Sequence, residues 1–132
     1  MQALSFRMNI EDINKNAKSL IEETWKDSSK WHQNFAETKK LLEGALVVAP
    51  SDEVTLINYG TVLCDMGSHK EAAEYLKKAI DEGSQNKHAF FNLGVALINC
   101  STHENAMIYM KKAKDKQAGV LTWEAYFDPM GH

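Results

Sequence analysis

Five histidines, two cysteines and 18 acidic side chains are the groups in this 132-residue chain that could do chemistry. Their spacing argues against most of it. His69 and His103 stand one 34-residue interval apart, which puts both at the starts of the second helices of successive repeated pairs. A metal needs further donors, and none nearby is spaced to be a clear third. Solvated or capping roles are expected instead. Cys64 and Cys100 form no Cys-x-x-Cys pair and no disulfide framework, so they read as buried or half-buried reduced thiols. A Gly-rich phosphate loop, Gly-x-Ser-x-Gly and His-Glu-x-x-His are all missing from the sequence. The carboxylates are scattered over helix surfaces. The expectation is no catalytic residue, no metal, no cofactor and no enzymatic activity.

Charge and composition narrow the class further. A net charge of −3 argues against nucleic acid, which requires a concentrated basic surface. With 44% hydrophobic and 25% charged residues, the chain reads as one globular domain, which buries roughly 70% of its unfolded surface at this size. No signal peptide or membrane-length apolar run is visible, and the expected location is cytoplasmic.

Only 2 prolines and 7 glycines interrupt the chain, so the elements that position these groups are helices. Asn9 is a cap, and Ile10, Ile13, Ala17, Leu20, Ile21 and Trp25 recur at helical spacing up to Lys26 or Asp27. Ser28-Ser29 opens a second helix, with Trp31, Phe35, Thr38, Leu42, Ala45 and Leu46 on one face, ending before Pro50. Ser51 caps a third, which Gly67 breaks. Ser68-His69-Lys70-Glu71 reads as a capping box for a fourth, ended by Gly83. A fifth runs from about Gln85 to Asn99. The sixth runs from about Thr102 to Lys116, with Gly119 ending it.

The last four helices say nearly the same thing twice. Asn58, Gly60, Ala72, Ala79 and Lys77-Lys78 return as Asn92, Gly94, Ala106, Ala113 and Lys111-Lys112. The large apolar residues Leu56, Tyr59, Leu63 and Leu76 return as Phe90, Leu93, Leu97 and Met110. Small residues let antiparallel helices approach closely, and the large ones fill the grooves between ridges. A period of 34 is that of a helix–turn–helix repeat that stacks into a solenoid.

This pattern resembles the tetratricopeptide repeat family. The resemblance implies an all-α fold of antiparallel helix–turn–helix repeats stacked as a short right-handed solenoid. Residues 52–83 and 85–118 match as repeats, and 9–50 as a divergent one. There Lys26 stands in register with Gly60, and Ser29 with Leu63. Residues 120–127 are expected to be a capping helix over the last repeat. Their aromatics Trp123, Tyr126 and Phe127 have a second reading, an exposed anchor for a partner.

In that family the first helices of the repeats line a concave groove that receives polypeptide. Carried over by register, the groove residues are Val54, Ile57, Thr61, Cys64, Asp65, His88, Phe91, Val95, Ile98 and Asn99. Most are apolar, with a polar edge at Asp65, His88 and Asn99. Ile57 and Thr61 stand where a clamp for a terminal carboxylate would want Lys and Asn, so no such clamp is expected. Asn58 and Asn92 are assigned to packing or backbone bonds. Two arrangements stay open: a free groove, or one filled by residues 1–30 or by the aromatic tail. The function expected is a non-enzymatic adaptor or scaffold that binds a partner protein or peptide. The alternatives are a small secretion chaperone and a bacterial immunity protein that neutralises a toxin. A homodimer is compatible with the terminal face of a short solenoid.

Overall fold

A computed structural model describes residues 9–126. Over these the chain forms six α-helices: α1 (Ile10–Lys26), α2 (Trp31–Val48), α3 (Glu53–Asp65), α4 (His69–Asp81), α5 (Lys87–Cys100) and α6 (His103–Ala113). Each helix packs on its neighbour in sequence, and α3 also touches α1 and α5. The result is the helical-repeat solenoid expected from the period, with α1, α3 and α5 as the first helices of successive pairs.

Both repeat crossings rest on a missing side chain. A Cβ on Gly60 would sit 2.6 Å from Leu76 Cγ and 3.2 Å from the Ala72 carbonyl oxygen. One period later, a Cβ on Gly94 would collide with Met110 Cγ and lie 3.2 Å from the Ala106 carbonyl oxygen. The core then runs without interruption through Leu56, Leu63, Leu76, Leu93 and Ala113. Each of these leucines, fully buried, contributes about 1.5–3 kcal/mol.

The pair α1–α2 is built differently. Where the later pairs cross at glycine, Asn34 Nδ2 donates to the Leu20 carbonyl (3.2 Å) and to Glu23 Oε1 (2.9 Å). An aromatic cluster of Trp25, Trp31 and Phe35 then closes the end, with Trp31 edge-on to Phe35 at 4.5 Å between ring centres. Ala17 and Ile21 carry this pair into the common core.

Several expected boundaries are corrected. Asp52, not Ser51, caps α3, because its carboxylate accepts from both the Thr55 amide (3.1 Å) and hydroxyl (2.7 Å). The Ser51 hydroxyl donates instead to Glu82. Ser68 makes no side-chain cap bond, so the capping box is not formed. Thr102 does cap α6, through the Asn105 amide at 3.0 Å. Residues Ser28–Lys30 are a single 3-10 turn whose start is held by Asp27. Helix α5 begins after Asn86, which caps it through the His88 amide. Helix α6 stops at Ala113, several residues before Gly119. Gly67 and Gly83 do reverse the chain at φ of 90° and 104°, the left-handed conformation only glycine adopts without strain.

The largest correction concerns the expected capping helix. Residues 120–126 contain no helix, and Phe127 lies outside the described residues. The segment instead follows the first helices of the repeats, and its backbone polar groups find partners on them rather than within itself.

Candidate functional site: a groove filled by the chain's own segment

Asn58 and Asn92 occupy the same station on α3 and α5. Each turns its side-chain amide toward the segment that follows α6. Asn58 Nδ2 donates to the Leu121 carbonyl at 2.9 Å, and Asn92 Nδ2 donates to the Trp123 carbonyl at 2.9 Å. Asn92 Oδ1 also accepts the Ala125 amide at 2.9 Å. One repeat of 34 residues along the solenoid therefore advances the segment by two residues. Carbonyls two residues apart face the same way only in an extended chain.

The asparagines are braced from behind. Asn58 Nδ2 also donates to Asn14 Oδ1 at 2.8 Å, while Asn14 Nδ2 donates to Thr55 Oγ1 at 2.9 Å. Asn92 Nδ2 likewise donates to Thr61 Oγ1 at 2.8 Å, and Thr61 in turn donates to the Ile57 carbonyl. Two acceptors facing each Nδ2 fix the orientation of each amide.

The flanks of the segment are held by polar side chains. At its start, Lys18 Nζ donates to the Val120 carbonyl at 2.7 Å, and Asn86 Oδ1 accepts the Gly119 amide at 3.2 Å. His88 Nδ1 lies 2.6 Å from Thr122 Oγ1. At its end, Asp65 takes the Tyr126 amide on Oδ1 at 2.8 Å and the Trp123 indole N–H on Oδ2 at 3.2 Å. Burial lowers the His88 pKa, helped by the nearby Lys18 and Lys87 charges. Burial pushes the Asp65 carboxyl up to about 7, against the two donors that pull it down.

These contacts sort the expected groove residues. Ile57, Thr61, Cys64 and Val95 are buried, and Ile57, Cys64 and Val95 share one core cluster with Trp123 and Ala125. Val54, Phe91 and Ile98 are half-buried. Asp65 and His88 touch the segment through side chains. Asn99 is exposed and bonds back to its own Val95 carbonyl, away from this network. Trp123 is only 7% exposed, so it is not a free anchor. Tyr126 is 55% exposed and stacks on Trp25, with 6.0 Å between ring centres.

Lys18, Asn14, Asn86 and Thr122 were not legible as site residues. One signal for the segment was present: Leu121, Trp123 and Ala125 alternate with Thr122 and Glu124, the period of an extended strand. On the other side of the molecule, Ala73, Leu93, Leu97, Ile108 and Tyr109 line an open apolar cleft of about 420 Å³ between α4 and α6. Among the described residues no cluster of three His, Cys, Asp or Glu could hold a metal, and no helix is long and apolar enough to cross a membrane.

A stacked helical hairpin with a concave face that grips extended backbone defines a helical-repeat binding module. The family model for the tetratricopeptide repeat matches residues 55–82 and 88–115, and these two stretches are tetratricopeptide repeats. Such repeats are protein–protein interaction modules, which is the coarse function this chain carries. No curated protein matches the chain.

Proposed function

We propose that the concave groove formed by α1, α3 and α5 binds an extended segment of a partner protein, and that the chain serves as an adaptor without catalysis. The observation that carries this reading is the pair Asn58 and Asn92, which hold polypeptide backbone two residues apart. Backbone bonds supply affinity for an extended chain, and the pockets between them supply selectivity.

Two narrower roles compete with the adaptor: a secretion chaperone and an immunity protein against a toxin. An immunity role predicts strong charge complementarity with its target. The exposed ion pairs Lys15–Glu11, Lys39–Glu43 and Lys77–Asp81 are each closed within one helix, and the net charge is only −3. The closed ion pairs favour the adaptor or chaperone; the net charge is compatible with all three roles and too small to decide between them.

The test is affinity capture with the wild-type chain and with Phe91→Glu. Phe91 is half-buried on α5. A folded Phe91→Glu protein should lose the partner. Undiminished capture by that variant would move the binding surface elsewhere, with the α4–α6 cleft as the next candidate.

A further inference from the structure

The two asparagines that hold the segment are not equally satisfied. Asn92 bonds it twice, through Nδ2 to the Trp123 carbonyl and through Oδ1 from the Ala125 amide. Asn58 bonds it once, through Nδ2 to the Leu121 carbonyl. Asn58 Oδ1 is buried and meets no donor among the described residues. A flip of the amide does not explain this, because Asn14 Oδ1 and the Leu121 carbonyl both require Nδ2 where it is. Shifting the pattern at Asn92 back by one repeat places the amide of residue 123 on Asn58 Oδ1. The chain's own segment leaves that bond unmade, and a buried acceptor without a donor is unfavourable.

We infer that residues 120–126 are a displaceable internal ligand, and that the partner segment which replaces them is an extended chain that also donates an N–H to Asn58 Oδ1. This rests on the groove reading above. The pockets state the rest of the ligand's chemistry. Trp123 is buried with its indole N–H on Asp65, Ala125 is 2% exposed, and Glu124 faces solvent. The matching partner sequence is tryptophan, any residue, then a small residue. A tethered segment competes at high effective concentration, so a free ligand needs an extra bond to win. The empty acceptor on Asn58 supplies it.

The test uses the full chain and a fluorescent synthetic peptide of residues 119–132 as the probe. Trp123→Ala in the chain weakens the internal segment. Anisotropy should then show the peptide binding about tenfold or more tighter than to wild type. Adding Asn92→Leu should abolish that gain. Methylating the peptide backbone nitrogen at the Ala125 position, the donor to Asn92 Oδ1, should weaken binding by about fivefold, whereas methylating that of Trp123, which leaves Asn58 Oδ1 without a donor, should not; a fivefold loss at Trp123 or none at Ala125 would refute the proposed difference between the two asparagines. Failure of the folded Trp123→Ala chain to bind the peptide would make the segment a fixed part of the fold. Should Trp123→Ala not fold, hydrogen exchange on the wild type decides. The Ala125 and Tyr126 amides should exchange about tenfold or more faster than those of Leu63 and Leu93, and equal protection overturns the proposal. A wild-type chain that sediments as a segment-exchanged dimer overturns it as well, since the occupant would then be a second copy. Partner capture lost in Phe91→Glu but no peptide exchange would sink this inference alone; capture unaffected by Phe91→Glu would sink the groove reading beneath it.

Discussion

The indole N–H of Trp123 donates to the Asp65 carboxylate, 3.2 Å across the groove from the C-terminal end of α3. Among the described residues no lysine or arginine is paired with this carboxylate; its partners there are two neutral N–H donors, and burial dominates its titration.

A pH dependence follows. An acid whose folded pKa lies above its unfolded value holds its proton more tightly in the fold. Its contribution is fully present below the unfolded value of about 4 and is lost as pH rises through about 7. His69 and His88, both lowered chiefly by burial, act in the opposite direction and weaken the fold as pH falls below the ordinary histidine range. Comparing wild type with Asp65→Asn isolates the carboxylate. Urea midpoints should show the variant gaining on the wild type as pH rises from about 4 to about 7, and parallel curves would remove Asp65 from the account.

The two repeat glycines should not respond alike to alanine. Gly→Ala inside a helix gains about 1 kcal/mol in propensity, and overpacking costs about 1–3 kcal/mol. At Gly60 the new Cβ meets the branched, fully buried Leu76, which has nowhere to move. At Gly94 it meets Met110, unbranched and only half-buried, which can re-pack. Gly60→Ala should lower stability by about 1–2 kcal/mol and Gly94→Ala should be near neutral, as read from denaturant curves.

Asn14 braces the ladder from α1. Replacing it with leucine strands one hydrogen of the buried Asn58 amide and removes a donor from Thr55 Oγ1, which keeps its bond to Asp52. The expected loss is about 1–3 kcal/mol. A loss under about 0.5 kcal/mol would show that the brace adds little.

The two thiols should differ sharply. Cys100 is exposed, whereas Cys64 is buried in the groove cluster and its thiol is pushed far up by burial, reinforced by Asp65. A thiol reagent at mildly alkaline pH should modify Cys100 quickly and Cys64 only as the segment opens. Trp123→Ala should therefore raise the Cys64 rate about tenfold or more and leave Cys100 unchanged.

The repeat was legible because its signal is local and doubled. Gly60 with Gly94 and Ala72 with Ala106 mark helix crossings, and the steric demand at a crossing admits few residue types. Caps were less legible, since Ser51 and Asp52 compete for the same role, and only the positions of Thr55 and Glu82 choose between them. The asparagines were visible but ambiguous. A residue that recurs with the period looks the same whether it packs a helix or holds a strand.

By itself, then, the sequence determined the six helices, their order and the face each must bury, because helical period and side-chain size are properties of neighbours along the chain. Only the tertiary structure decided where residues 120–126 lie. Their aromatics suited a capping helix, but an extended segment makes few bonds within itself, and its conformation is set by acceptors and donors on other elements. Those partners, Asn58, Asp65 and Asn92, stand 31 to 63 residues away, a separation no local pattern encodes.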